Sequence, residues 1–329
     1  MSFYHPVTIG NVSLGGNLFM APVAGYSDAA FRSVCIAGGA DFTYTEMVSA
    51  EAMVRDSAKT LSLLTRAPNE TRYAVQLFGG KPESVARAAV IVCEKFSPAI
   101  IDINAGCPVP KIIKSGSGAF LTKNPDMLYK IVSATVKAVQ PVPVTVKIRS
   151  GWDAANITYM DAAAAAFDAG AAALTCHPRT RSAGYEGKAD WAALKALTER
   201  FGETPIFGSG DVFTPHDALR MLETTGVAGV MFARGALQNP FVFAETKALL
   251  QTGTYTPAEI EVRIKAAFEQ LTLLIEMSQN ETDACLKMRK RFCAYLKGVP
   301  GSAELRRRIT ACSSAAEYRE ALGAYTAGE

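Results

Sequence analysis

The 329-residue chain is poor in histidine, with three, and in tryptophan, with two. So few histidines, with no acidic pair at ligand spacing, leave little from which to build a metal centre, and no metal is expected. Cysteine occurs seven times but never as a Cys-x-x-Cys pair, and the count is odd. That argues against a zinc ribbon and a disulfide framework; reduced thiols in a cytoplasmic protein are expected. No uncharged apolar run is long enough to cross a bilayer, since the alanine-rich stretch 162–173 is broken by Asp168 and Gly170. Residues 1–20 lack the cationic segment and long apolar run of a signal peptide. No Gly-x-Gly-x-x-Gly follows the first apolar run, which argues against a Rossmann domain. The net charge is only +3, too small to name a partner, so local clustering matters more than the sum.

What the chain does have is material for a core. With 49% hydrophobic and 20% charged residues it should fold throughout, into one large domain and a small one. Eight short apolar runs fall at 18–22, 42–45, 73–77, 99–104, 144–148, 172–176, 205–208 and 229–232. Each is followed by a polar or Gly-rich loop. Stretches such as 82–96 and 125–139 carry apolar residues three and four apart, as helices packed on one face do. Eight strand–helix units within roughly 230 residues predict an α/β fold, a (β/α)8 barrel rather than an open doubly wound sheet. Beyond the eighth unit the chain turns polar over 251–255. Thr256-Pro257-Ala258-Glu259 then reads as a helix start: a capping Thr, a first-turn Pro and a Glu three residues on. The expected division is a barrel domain over 1–250 and a helical domain over 251–329. Residues 285–308 hold eight basic side chains, among them Lys287, Arg289, Lys290 and Arg291, against Glu304 alone. Interleaved with Phe292 and Tyr295, they form either a solvated face or a surface for phosphates.

In such a barrel the C-terminal strand ends converge on one site. Here they would bring together Pro22, Val23 and Ala24, then Glu46, Gln76, Asn104 with Cys107, and Lys147 with Arg149. His177 with Arg179 and Arg181, Ser209-Gly210-Asp211, and Ala233 with Arg234 would complete it. Small residues after strands seven and eight, with the fixed charge of Arg234, match the common phosphate site of barrels; tight turns that need small side chains are the plainer reading. Lys147, inward at the end of strand five, would face an anionic or electron-rich ligand. A reduced flavin fits, and a Schiff-base lysine is the rival. Gln76 offers both donor and acceptor to a heterocycle edge, and His177 could meet the same ligand. Cys107 lies between Gly106 and Pro108, on backbone that proline restricts. An unperturbed thiol is mostly protonated at neutral pH, which suits a proton donor at least as well as a nucleophile; a small buried side chain in a turn is the alternative.

At this point the motifs resemble those of the tRNA-dihydrouridine synthases, and most closely the bacterial B-type branch. The matching segments run in order along nearly the whole chain. They are 21–28 (Ala-Pro-Val-Ala-Gly-Tyr-Ser-Asp) with Phe31-Arg32, 44–50, Gln76 to Gly79, and 101–108 (Ile-Asp-Ile-Asn-Ala-Gly-Cys-Pro). Lys111 and 116–118 follow, then 144–152, 177–181, 185–191, 229–240 and 297–301. Each piece alone is weakly specific and the series is highly so.

The resemblance implies an FMN barrel with a helical tRNA-binding domain, using NADPH as reductant. Pro22, Val23 and Ala24 would wrap the flavin, Gln76 and Lys147 would bind its ring, and Ser209, Gly210, Asp211, Ala233 and Arg234 would hold its phosphate. Asn104 would position the uracil, with Arg149 beside it. Arg179, Arg181 and the basic helix with Lys287, Arg289, Lys290 and Arg291 would face tRNA. Hydride would pass from flavin N5 to uracil C6, and Cys107 would give its proton to C5. Three positions depart from the family pattern: Pro178 and Ala233 stand where glycine is common, and Ser209 where asparagine is. Pro178 removes a backbone N–H, while Ser209 and Ala233 keep theirs. A cytoplasmic monomer with no obligate protein partner is expected. The competing readings are a flavin barrel that reduces a small pyrimidine or enone, and an RNA-binding protein that no longer turns over.

Overall fold

The computed structural model describes residues 3–299 and 301–325. Pro300 of the 297–301 segment and residues 326–329 of the expected helical remainder lie outside the described residues.

Among the described residues the sheet has ten strands, of which eight parallel ones follow the expected units: β1 (Leu18–Met20), β2 (Phe42–Thr43), β3 (Ala74–Phe78), β4 (Ile100–Ala105), β5 (Val144–Asp153), β6 (Ala173–Thr180), β7 (Ile206–Ser209) and β8 (Gly229–Phe232). They lie in the order β2-β1-β8-β7-β6-β5-β4-β3. The ring closes through the segment after β2. Tyr44 bridges Ala74, and Val48–Ser49 pairs with Leu77 and Phe78. The expected (β/α)8 barrel is therefore the observed fold, with most strands placed within two residues of the apolar runs. Two strands run longer than expected. β5 continues to Asp153 and folds back on Asn156–Ile157, and β6 continues to Thr180 through a register shift after His177. Pro178, which has no N–H to give a ladder, sits in that irregular stretch.

Side chains alternate along each strand. Ile101, Ile103, Val146, Ile148, Leu174 and Cys176 point outward, into a core shared with the surrounding helices. Phe19, Phe42, Ala74, Ile100, Ala173 and Phe207 point inward at the N-terminal end of the barrel. Val7, Ile9 and Leu14, from an N-terminal hairpin of Val7–Ile9 and Val12–Leu14, join that inner cluster and plug this end. The Phe19 and Phe207 rings pack at 4.8 Å between centroids. The other end is left open for polar groups.

The helical C-terminal part comprises Ile260–Ser278, Glu281–Tyr295, Ser302–Ala311 and Ala315–Leu322. These helices bury their own apolar cluster, including Ile264, Leu271, Met288, Phe292 and Tyr318, and take in Ala30 from the barrel helix Ala29–Ala37. Its first helix does not begin at Thr256. The Ala258 N–H donates to the buried Glu245 carboxylate at 2.8 Å, so residues 256–259 are drawn against the helix Val242–Thr252, and the new helix starts at Ile260. A contact to an earlier helix overrode a good local cap signal.

Candidate active site

A cavity of about 350 Å³ opens at the C-terminal end of the barrel. Its size is within the usual range for a small-molecule or cofactor site. Fourteen of the residues expected at the site line it: Pro22, Val23, Ala24, Gln76, Asn104, Cys107, Lys147, Arg149, His177, Ser209, Gly210, Asp211, Ala233 and Arg234. The convergence is a matter of strand period. Gln76 stands two residues beyond inward Ala74, and Asp102 and Asn104 stand two and four beyond Ile100. Thr145, Lys147 and Arg149 share one face of β5, and Ser209 follows Phe207 on β7.

On one wall the polar groups are chained. Asp102, buried at 1% exposure, accepts from Gln76 Nε2 and from Thr145 Oγ1, each at 2.6 Å. Gln76 Oε1 accepts from Asn104 Nδ2 at 2.8 Å. Asn104 Oδ1 in turn accepts the backbone N–H groups of Cys107 at 2.9 Å and Gly106 at 3.2 Å. From the other side Arg149 Nε donates to the Gly106 carbonyl at 2.9 Å, and its Nη1 to the carbonyls of Thr180 and Gly184. Gly118 supports the same loop from behind. With φ at +62°, and a built Cβ only 2.7 Å from the Cys107 carbonyl oxygen, no larger residue fits there. Burial pushes the Cys107 thiol above its usual pKa, against the opposing pull of the Val109 amide and Arg149. The thiol is therefore protonated at neutral pH.

Lys147 lies at the floor of the cavity, and among the described residues no protein group accepts a hydrogen bond from its ammonium. Burial, reinforced by Arg149, lowers its pKa to about 8, with Asp102 and Cys176 opposing. Burial and the cations around it, Lys147, Arg149, Arg179 and Arg234, hold His177 well below its ordinary pKa, so the ring is neutral. Gly210, at φ +103°, passes so close that a Cβ would lie 2.6 Å from His177 Cδ2. Asp211 is bracketed by Arg179 Nη2 at 2.7 Å and Arg234 Nη2 at 3.0 Å. Although burial opposes it, the Ala189 amide and these two guanidinium groups hold its carboxyl below the usual range. A negative side chain so placed orients the arginines and does not itself attract an anion.

Several expected tRNA contacts are turned inward. Arg179 is 4% exposed and gives its donors to Asp211 and to the carbonyls of Glu186 and Gly187, so it braces a loop and does not reach the rim. Arg149 has a similar task, although it does line the cavity. Arg289 ties the end of the helix Ser302–Ala311 through the carbonyls of Cys312 and Ala311. Arg291, buried at 3% exposure, donates to Asp28 Oδ2 at 2.5 Å and to the carbonyls of Gly25 and Tyr26. Lys290 Nζ also reaches the Gly25 carbonyl, at 2.9 Å, while Glu46 accepts the Gly25 N–H. These residues clamp the C-terminal helices onto the loop after β1, whose Val23, Ala24 and Tyr26 line the cavity. The reason is general: arginine's five donors can bind several carbonyls at once, so a positive charge run need not be a ligand face. Lys287 is exposed, and Arg181 is half-buried with its guanidinium over Trp152, 4.8 Å from the ring centroid.

A family model described as dihydrouridine synthase matches residues 19–327. The chain belongs to this family. It is 52% identical over 324 residues to a probable tRNA-dihydrouridine synthase of Treponema pallidum (strain Nichols), covering 96% of this chain and 95% of that protein. It is 37% identical over 270 residues to tRNA-dihydrouridine synthase B of Shewanella oneidensis, covering 82% and 83%. Among solved structures it is similar to a 2-naphthoyl-CoA reductase complex, at TM-score 0.59 and 11% identity over 74% of this chain and 51% of that one. A histamine dehydrogenase from Rhizobium sp. 4-9 matches at TM-score 0.58 and 13% identity, over 86% and 53%. At such identities these two speak for the barrel alone. The family resemblance read from the motifs is borne out.

The dihydrouridine synthase cavity also has walls that were not foreseen. Tyr26, Met47, Val109, Tyr185 and Phe213 line it, and Thr145 and Asp102 anchor its polar chain. Thr145 was accessible from the same two-residue period that turned Lys147 inward. Tyr185, 61% exposed, reaches over Arg234 and Arg149 from a loop whose path no periodicity indicates. Among the described residues no cluster of three or more His, Cys, Asp or Glu could hold a metal ion, and no helix is long and apolar enough to cross a membrane.

Proposed function

We propose that this dihydrouridine synthase reduces the C5=C6 bond of uridines in tRNA, with FMN in the barrel cavity and NADPH as reductant. The cavity's fit supports the flavin. Among the described residues the ammonium of Lys147 has no acceptor, and Lys147 lines the cavity beside Ala21, Pro22, Val23 and Met231. Gln76, Lys147 and His177 would bind the ring system, Pro22, Val23 and Ala24 would flank it, and Ser209, Gly210, Ala233 and Arg234 would hold the phosphate, with Asp211 aligning Arg234. The hydride that uracil C6 receives is the chemistry FMN supplies when bound.

The protein's own residues carry the rest. A uridine must leave its stack in the tRNA to reach the cavity, at a cost of a few kcal/mol. Asn104 holds the Cys107 loop and is placed to position uracil. Cys107 donates its proton to C5 as the hydride adds at C6, and the thiolate is reprotonated from water. The observation that carries the proposal is a thiol on a loop held by Asn104 and Arg149, in the same cavity that Lys147 lines. We assign the barrel, 1–250, to catalysis and the helical part, 251–329, to tRNA. Exposed Lys287 and half-buried Arg181 are the phosphate contacts among those expected, and the enzyme acts as a cytoplasmic monomer.

The test is dihydrouridine mapped by position in tRNA from a strain lacking the gene, complemented with wild type or Cys107→Ala. Loss at a defined site, restored by wild type alone, is expected. Unchanged dihydrouridine in a strain with no second synthase would overturn the tRNA assignment and favour a flavin reductase of small pyrimidines or enones.

A further inference from the structure

Among the described residues no cation touches the carboxylate of Asp102, which does not line the cavity and is enclosed in the barrel. Such a group is costly where it stands: burial pushes its pKa up to about 6, despite the Thr145 and Gln76 hydrogen bonds and the charge of Lys147. Asparagine would have the same shape without that cost. What the carboxylate has that asparagine lacks is two acceptors and no donor.

That difference gives the chain of hydrogen bonds a direction. Facing an acceptor-only group, Gln76 must present Nε2 to Asp102, which leaves Oε1 for Asn104. Asn104 must then present Nδ2 to Gln76, which leaves Oδ1 for the amides of Gly106 and Cys107. Reverse the first amide and the second must reverse too, setting an Nδ2 donor against the N–H of Cys107. We propose that Asp102 is a positioning residue: its carboxylate orients the Gln76 and Asn104 amides and through them holds the loop that carries Cys107. The consequence for proton donation rests on the function proposed above; the positioning itself does not.

The experiment measures alkylation of Cys107 by iodoacetamide, resolved by peptide mass spectrometry, in the purified full-length protein. Buried Cys35 and Cys176, both at 0% exposure, report unfolding if they label. In Asp102→Ala nothing fixes the direction of the Gln76 and Asn104 amides that hold the loop, and Cys107 should label about five- to tenfold faster, as expected when a net hydrogen bond restraining a local opening is weakened. Gln76→Glu sets two carboxylates against each other and should also accelerate labelling. The double variant Asp102→Asn with Gln76→Glu restores the direction, because the new acceptor-only group sits at 76 and accepts from both sides. Its labelling should return toward the wild-type rate. Where dihydrouridine formation is assayed, Asp102→Ala should lower kcat and leave KM for tRNA unchanged.

A folded Asp102→Ala protein that labels like wild type would overturn the proposal, as would a double variant that labels no more slowly than Gln76→Glu alone. Should Cys35 and Cys176 label in Asp102→Ala, the comparison of the double variant with Gln76→Glu decides by itself. If wild type forms no dihydrouridine, the functional reading fails while the labelling still tests the positioning.

Discussion

At the N-terminal end of the barrel the inward positions include Phe19, Phe42, Ala74, Ile100, Ala173 and Phe207; toward the C-terminal ends of the barrel strands they include Gln76, Asp102, Asn104, Lys147, His177 and Ser209. One end is sealed by a hairpin and packed with rings, the other is open and holds a buried acid, a lysine ammonium and a thiol. The strands and their period are common to both ends, so the backbone does not distinguish them. The difference teaches a division of labour. The lower layer supplies burial energy and rigidity, and the upper layer, whose polar groups are costly to desolvate, relies on that rigidity to keep them aligned. An element of the same kind recurs on the helix Glu281–Tyr295, where Arg291 faces the barrel and Lys287 faces solvent.

Breaking the upper layer should have the largest effect. Cys107→Ala should lower dihydrouridine formation about 10²- to 10⁴-fold, the usual contribution of a positioned acid, while leaving bound flavin and the unfolding midpoint near wild type. Breaking the lower layer should do the converse. Phe207→Ala should cost roughly 3–5 kcal/mol in denaturant unfolding and leave flavin bound per folded molecule unchanged. Loss of flavin without loss of stability would erase the contrast between the layers.

Lys147 sharpens it through pH. The folded state releases this proton near pH 8, whereas the unfolded chain holds it until about 10.5. Between those values the unfolded state binds more protons, so stability due to this group rises with pH. Without bound ligand, wild type should therefore gain on the order of 3 kcal/mol relative to Lys147→Met across that window. A difference that does not change with pH would show the lysine to be well solvated or paired. On the C-terminal helix, Arg291→Met should cost about 2 kcal/mol, since it leaves the Tyr26 carbonyl and Asp28 Oδ2 without this donor and the Gly25 carbonyl with Lys290 alone. Lys287→Ala should change stability by less than about 0.5 kcal/mol. Its expected signature is in tRNA binding, where removing one cation from one phosphate should lower the slope of log affinity against log salt by roughly 0.7–0.9.

Much of this was legible before folding. The eight apolar runs and the helical spacing between them led to the barrel, and the two-residue period that turns Lys147 inward also brings Gln76 and Ser209 to the cavity. The residues misjudged are those whose direction depends on distant partners. Arg179 and Arg291 looked like a rim and a basic face because charge in a sequence carries no sign of what its donors will meet. The Thr256 cap looked sound because nothing local shows that Glu245 will take the Ala258 amide. Asp102 was part of a recognised segment, yet its task appeared only when β3 and β5 brought Gln76 and Thr145 against it.

Periodicity is a local property, and it sufficed for the apolar runs and the inward faces, while the ordered series of short motifs carried the family and singled out the thiol after β4. Direction of hydrogen bonding is not local. Which arginines serve the protein and which remain free, and which way a chain of amides runs toward Cys107, follow from donors and acceptors that meet only after the barrel closes, because a buried polar group must be satisfied by whatever the fold places within about 3 Å of it.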